Sequence, residues 1–226
     1  MRVLIVEDEP QLTLALERAL EAAGFAVDTA YDGENGWYLG DTESYDAAVL
    51  DLGLPKVDGI TVLGRWREAG RTMPVMVLTA RARWAEKAQA FNAGADDYVT
   101  KPFEMEEVVT RIRALIRRAA GHASPEITCG SLRIDTIGGK VSRDGMPVTL
   151  TAQEFRILSY LAHHQGRVIS RSELVEHVYD RDADPDSNVL DVLVARIRRK
   201  LGVDVIHTLR GQGWRMEASE NQDPGQ

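Results

Sequence analysis

A single cysteine, Cys129, stands among 226 residues. That excludes an internal disulfide framework and any cysteine-rich metal site, and it fits a reducing cytoplasm. Cys129 is expected to act as a small apolar residue beginning a strand. Long apolar runs are missing too, since no stretch approaches the roughly 20 residues that a membrane span needs. The opening "RVLIVED" turns acidic after a short apolar run and has neither the length nor the flanks of a secretory signal. The five histidines show no ligand pairing at helical spacing, and the adjacent His163 and His164 are expected to face solvent. A basic excess is also lacking: the net charge of −8 argues, taken whole, against a nucleic-acid partner.

The charge is unevenly placed, however. Residues 1–118 hold 14 Lys and Arg against 20 Asp and Glu, whereas residues 125–217 hold 13 of each. Within that neutral part "RIRRK", Arg196 to Lys200, concentrates positive charge on one element. The whole-chain balance is therefore a poor guide to partners.

The first half alternates apolar strand-like runs ("RVLIV", "FAVDTA", "AAVLD", "MPVMVLT", "DYVT") with segments of helical spacing. Five such repeats predict an α/β doubly wound, five-stranded parallel sheet over residues 1–118. Pro10 suits the first turn of a helix and Gly24 its C-terminal stop. "AAGHASPE", residues 119–126, breaks the pattern and is assigned as a linker. Residues 127–217 open with short β-like segments and continue into helices, an α+β arrangement. Thr151 followed by Glu154 three residues on predicts a capping box before the first of those helices. Residues 218–226 are expected to be disordered.

The strand ends carry the chemistry. In "DAAVLDLGLPKVDG" an apolar run enters a bare carboxylate, Asp51, and breaks at once into Gly and Pro. A strand buried on both faces looks like this, and ligands of open α/β sheets collect at the C-terminal edge. The first strand ends in Glu7 and Asp8, the fourth in Thr79 and the fifth at Lys101, so three carboxylates, a hydroxyl and an ammonium converge. Two like charges about 4 Å apart repel by roughly 4 kcal/mol at an effective dielectric near 20, so such a cluster needs a cation. Oxygen ligands with room for water suit Mg²⁺, and a metal-held carboxylate can attack a phosphoryl group.

The residues "VED" at 6–8, "LDLGLPKVDG" at 50–59, "VLTAR" at 77–81 and "GADDYVTKPF" at 94–103 resemble the receiver domain of a two-component response regulator. The resemblance implies a flavodoxin-like fold in which Asp51 accepts phosphate from a sensor histidine kinase. It implies that Asp8, Glu7, Asp51 and the Gly53 carbonyl hold Mg²⁺, that Lys101 contacts the phosphoryl group, and that Thr79 and Tyr98 act as switch residues. Lys101-Pro102 is expected to be cis. The chain would be a phosphoacceptor that assists its own phosphorylation and dephosphorylation, and not an enzyme. Two other readings fit less well. A hydrolase of the haloacid-dehalogenase type wants a second Asp two residues after the nucleophile, where Gly53 stands. A phosphate-independent DNA-binding protein with a degenerate receiver would lack an acid or the Lys, and none is missing.

In the second half, Leu190, Val194, Ile197 and Leu201 recur at helical spacing as a buried stripe. Leu193, Arg196 and Lys200 share another face, with Arg199 beside it, and "RGQGWR" with Arg210 supplies a second basic element. "LTAQEFRILSYLAHHQGRVISRSELVEHVY", "VARIRRKLG" and "IHTLRGQGWR" resemble the winged helix-turn-helix effector of the OmpR/PhoB group. Its implications are specific: Arg196 reads bases, Arg198, Arg199 and Lys200 mostly bind backbone, and Thr208, Arg210 and Gly211 form the wing. Trp214 stands where the family often has Tyr and is expected to pack beneath that wing. The acidic loop "DRDADPDSN" corresponds to the segment that meets RNA polymerase. Lys87 with Glu107, Asp97 with Arg111 and Asp96 with Arg118 match the family's ion pairs between receivers, with Trp84 as a departure at the edge. Together these imply a cytoplasmic bacterial transcription factor that forms a homodimer on phosphorylation and binds double-stranded promoter DNA at direct-repeat half-sites.

Overall fold

The structure is a computed structural model that describes residues 1–80, 84–179 and 189–218, with backbone alone at 84–86. The chain divides into two compact units, Met1–Gly121 and His122–Gln226.

The first unit runs β1 (Arg2–Val6), α1 (Pro10–Ala22), β2 (Ala26–Ala30), α2 (Gly33–Thr42), β3 (Ala47–Asp51), α3 (Gly59–Glu68), β4 (Val75–Thr79), α4 (Trp84–Asn92), β5 (Asp97–Thr100) and α5 (Met105–Ala119). All neighbouring strands are parallel, in the order β2-β1-β3-β4-β5. β1, β3 and β4 are buried at every position because helices cover both faces. Alternation of side chains then splits the core in two. Val3, Ile5, Val49 and Leu78 pack against Leu16 and Leu20 of α1 and Val108, Ile112 and Leu115 of α5. Leu4, Val6, Leu50 and Val77 pack against Val62, Leu63 and Trp66 of α3 and Ala90 of α4.

Helix starts follow local chemistry. Pro10 occupies the first turn of α1, Asp32 accepts from the Asn35 amide to cap α2, and Asp58 accepts from the Thr61 amide to cap α3. Gly24 follows α1 with φ +94°, a left-handed conformation suited to glycine. α2 lies close to its neighbours because it is studded with glycine. A Cβ on Gly40 would sit 2.4 Å from Cε2 of Trp66, a fully buried side chain whose Nε1 donates to the Trp37 carbonyl.

The second unit opens with an antiparallel sheet of β6 (Glu126–Cys129), β7 (Leu132–Asp135), β8 (Lys140–Arg143) and β9 (Met146–Val148). Then come α6 (Ala152–His163), β10 (Val168–Ile169), α7 (Arg171–Val178), α8 (Val189–Leu201), β11 (Ile206–Leu209) and β12 (Gly213–Met216). The last sheet has the order β10-β12-β11. Thr151 and Glu154 form the expected capping box, and Leu190, Val194, Ile197 and Leu201 are all buried.

Two expectations are corrected. Cys129 ends β6 instead of beginning a strand. Burial, helped by the Glu217 charge, pushes its thiol up to about 11, so it stays protonated at neutral pH. His163 is buried, 7% exposed, and His164 is half-buried. Each ring Nδ1–H donates to a carbonyl one turn back, Ser159 at 2.8 Å and Tyr160 at 2.9 Å, which tucks the rings against α6. β10, a two-residue strand, has no counterpart in the sequence pattern. The linker residues are largely engaged: Ala119 closes α5, Glu126 opens β6, and the His122 ring meets that of His163 edge-on at 5.8 Å.

Gly40→Ala is expected to destabilise the first unit by about 1–3 kcal/mol, since Trp66 cannot yield. Gly64→Ala, on α3 with nothing within 4 Å of the added Cβ, should stabilise it by about 0.5–1 kcal/mol. Urea unfolding of the two variants followed by tryptophan fluorescence makes the comparison; equal midpoints would remove the close-approach account.

Candidate functional site

At the C-terminal edge of the parallel sheet, β1 delivers Glu7 and Asp8, β3 ends in Asp51, β4 ends in Thr79, and Lys101 follows β5. Glu7, Asp51 and Thr79 are buried. Glu7, Asp8 and Asp51 each place a carboxylate oxygen within 4.8 Å of the others, with Asp8 exposed. The Lys101 ammonium bridges the two buried acids, 2.7 Å from Oε2 of Glu7 and 2.7 Å from Oδ1 of Asp51. The second Asp51 oxygen accepts from the Gly53 amide. One face of Asp51 is thereby fixed by the protein.

The electrostatics follow from this crowding. Burial lifts the Glu7 carboxyl above its ordinary range; the Lys101 hydrogen bond lowers it again, and the nearby Asp51 charge raises it. Burial pulls Lys101 down, but hydrogen bonds to Asp51 and Glu7 and their charges outweigh it, leaving the ammonium above its usual value. The one Lys101 ammonium does not balance three carboxylates. The donor set is oxygen only and half open to water, which fits Mg²⁺ and no thiophilic metal. A cavity of about 440 Å³ adjoins Asp51, Gly53, Asp58, Thr79 and Lys101, large enough for a phosphoryl group. The Lys101-Pro102 peptide is cis.

The residues expected to act in switching and pairing lie on or beside α4, β5 and α5. Tyr98 is half-buried; its hydroxyl lies 3.0 Å from the Lys87 Nζ, and the same ammonium sits 4.2 Å above the ring. Arg111 reaches Asp97 at 3.0 Å and Glu107 at 2.8 Å within the chain. Asp96 accepts from the Val75 amide and pairs with Arg67 at 3.1 Å, and Arg118 donates to the Ala114 carbonyl. Arg81 lies outside the described residues, as do the acidic residues 180–188.

In the second unit, α8 presents its cations in two ways. Arg196 and Arg199 are exposed. Arg198 instead donates from Nε to the Ile206 carbonyl at 2.7 Å and from a terminal nitrogen to the Thr208 hydroxyl at 2.8 Å, tying α8 to β11. Lys200 lies 2.6 Å from Oε2 of Glu154, whose side chain is 3% exposed. Arg143 of β8 donates to the Leu201 carbonyl and so closes the end of α8. Arg210, Gly211 and Gln212 form the exposed tip between β11 and β12, where Gly211 adopts φ +72°. Trp214 is buried, with the Arg171 guanidinium 5.2 Å above its ring, and Arg171 also pairs with Asp191 of α8. Sequence reading missed these internal roles of Arg143, Arg198 and Lys200. A partner 46 residues away leaves no local trace.

Burial opposes the Glu154 charge, but Lys200 and the Thr151 amide hold its carboxyl below the ordinary range. A depressed folded value means that this contribution is complete above the unfolded carboxylate range and is lost as pH falls through the folded value. Lys200→Ala is expected to destabilise the second unit by about 1–2 kcal/mol at neutral pH, less than for a fully buried pair because the ammonium stays partly wet. The loss should shrink as the medium is acidified below the carboxylate range. Arg199→Ala should stay within about 0.5 kcal/mol of wild type. Thermal or urea melts across pH distinguish the two, and an equal effect would show that Lys200 is merely surface charge.

Comparison with known proteins agrees with this geometry. The family model described as response regulator receiver domain matches residues 3–113, and the one described as transcriptional regulatory protein, C terminal, matches residues 145–216. The two-component response regulator PhoP of Pseudomonas aeruginosa is 41% identical over 218 residues, covering 95% of this chain and 97% of PhoP. The transcriptional regulatory protein CusR of Escherichia coli K12 is 39% identical over 227 residues, covering 98% of this chain and all of CusR. Among solved structures, the receiver domain of the Francisella response regulator 1452 superposes with a TM-score of 0.50 at 32% identity, covering 52% of this chain and 97% of that one.

Proposed function

The chain belongs to the OmpR/PhoB family of two-component response regulators, and from that premise we propose that phosphorylation of Asp51 switches it into a dimer that binds promoter DNA. The observation that carries this is the Lys101 ammonium held 2.7 Å from both Glu7 and Asp51 at the strand ends. An Asp51 carboxylate oxygen attacks phosphorus on the phosphohistidine of a sensor kinase; a P–O bond forms, the P–N bond breaks, and the imidazole leaves. Mg²⁺ held by Glu7, Asp8, Asp51 and the Gly53 carbonyl supplies, when bound, charge neutralisation at the phosphoryl oxygens. Lys101 then turns from Asp51 to the phosphoryl group, and the Thr79 hydroxyl follows it. The same groups assist hydrolysis of the acyl phosphate by water.

The switch passes through Tyr98. Lys87 is held by the Tyr98 hydroxyl and ring, so pairing of Lys87 with Glu107 of a second receiver requires its release. Inward movement of Tyr98 towards Thr79 frees it. Asp97 with Arg111 and Asp96 with Arg118 are the other pairs across that interface. Each surface pair is worth only about 0–1 kcal/mol, so their role is partner choice. In the effector, Arg196 reads a base and Arg199 binds the backbone, while Thr208, Arg210 and Gly211 place the wing. The loop 180–188 meets RNA polymerase. The membrane has no part in this scheme, and among the described residues no helix is long and apolar enough to cross one.

With Mg²⁺ and a small phosphodonor the wild type should take one label and Asp51→Asn none. A labelled Asp51→Asn would displace the nucleophile and with it the reading of the acidic edge.

Phosphorylation should tighten binding to paired direct-repeat half-sites far more than to a single one, because the second contact becomes intramolecular at an effective concentration in roughly the millimolar range. Arg111→Glu should lose most of that gain. If single sites tighten as strongly as pairs, dimerisation is not the switch and relief of inhibition by the receiver is the better account.

A further inference from the structure

The cavity beside Asp51 is larger than the group it would receive. At about 440 Å³ it takes a phosphoryl group with room for several waters besides. Most of its wall comes from the strand ends and the residues just after them, among them Asp51, Gly53, Thr79 and Lys101. Three wall residues come from elsewhere: Asp58 and Ile60 at the start of α3, and Gln89 of α4. Ile60 is apolar, and both Asp58 oxygens are taken, one by the Thr61 amide and the other by the Thr61 hydroxyl. Gln89 is exposed, and its carboxamide has no hydrogen-bond partner among the described residues. An exposed glutamine on a helix is ordinary solvated surface. One that borders a cavity for phosphoryl chemistry also brings a donor and an acceptor to the water inside it.

The chemistry leaves one task open for such a group. Loss of the phosphoryl group from Asp51 needs a water whose oxygen attacks phosphorus roughly in line with the bond that breaks. The groups at the strand ends neutralise charge on the phosphoryl oxygens, and none of them is assigned to orient that water. We propose that Gln89 is a positioning residue for the attacking water and thereby sets the lifetime of the phosphorylated state. This rests on the reading of Asp51 as the phosphoacceptor. The Gln89 carbonyl oxygen accepts one O–H of the water, which turns a lone pair towards phosphorus. A new P–O bond forms as the bond to Asp51 breaks. The electron pair of the broken bond returns to the Asp51 carboxylate, and the protons of the water go to the inorganic phosphate and to solvent. Gln89 itself neither gains nor loses a proton. Uptake of the phosphoryl group from an acyl phosphate does not need the same contact, because the departing carboxylate has no O–H for the Gln89 carbonyl to accept.

The full-length wild type, Gln89→Ala, Gln89→Met and Gln89→Glu are to be labelled with Mg²⁺ and radiolabelled acetyl phosphate, freed of donor, and followed as the label is lost. All four should take label at Asp51. Gln89→Ala and Gln89→Met should lose it about fivefold more slowly than wild type, the rate worth of one hydrogen bond, while the rate of uptake moves far less. Gln89→Glu keeps an acceptor oxygen at the same reach and should stay near the wild-type rate. Met matches Gln in length without its hydrogen bonds, so a Gln89→Met variant at the wild-type rate would show that the side chain acts by bulk and overturn the assignment. Loss from Gln89→Ala at or above the wild-type rate, Gln89→Glu as slow as Gln89→Ala, or a Gln89 variant that takes no label overturns it too, with Asp51 kept as the phosphoacceptor. If the wild type takes no label, or Asp51→Asn takes as much, the phosphoacceptor reading falls and the Gln89 assignment with it.

Discussion

The Lys101 ammonium between Glu7 and Asp51 is the contact on which the rest of the first unit depends. Two buried carboxylates a few ångströms apart repel by several kcal/mol at a protein-like dielectric, and burial adds a desolvation cost for each. The cation offsets both. It can do so only because a parallel sheet sends the ends of β1, β3 and β5 to one edge, and because that sheet is buried on both faces and cannot shift. The arrangement holds charge under tension, with Lys101 shared between partners that a phosphoryl group would compete for. Tyr98 lies on β5, one strand end from Lys101, and Lys87 of α4 is held against it.

The surface pairs around α4, β5 and α5 have a related logic. Arg111 engages Asp97 and Glu107 within one chain, and Lys87 engages Tyr98. Each partner proposed for an interface between receivers therefore already has an internal one. Exchange of partners costs little when the pairs are exposed, which suits a reversible association better than a permanent one. Partner choice then depends on geometry more than on gross charge.

The second unit divides its basic residues by the same physics. A cation with a buried acid or an orphan carbonyl in reach is held by it, as Lys200 is by Glu154 and as Arg143 and Arg198 are by the carbonyls of Leu201 and Ile206. A cation without one stays in water and is available to a polyanion, as Arg196 and Arg199 are. The neutral balance of this unit thus conceals two exposed arginines on α8, Arg196 and Arg199.

Periodicity and punctuation in the sequence determined the five strands, the helices between them, the capping box at Thr151 and the buried stripe of α8, because each arises from residues within a turn or a pleat of one another. They also determined that Glu7, Asp8, Asp51, Thr79 and Lys101 share an edge, since in a parallel sheet every strand end of one kind faces the same way. Only the tertiary structure decided where His163 lies, that the two residues of β10 form a strand against β12, and which of the α8 cations are free. Those outcomes depend on contacts between segments far apart in the chain: β10 has no local reason to be extended, and nothing near Lys200 announces Glu154. Local chemistry sets the elements, whereas pairing between distant side chains sets which charges remain for function.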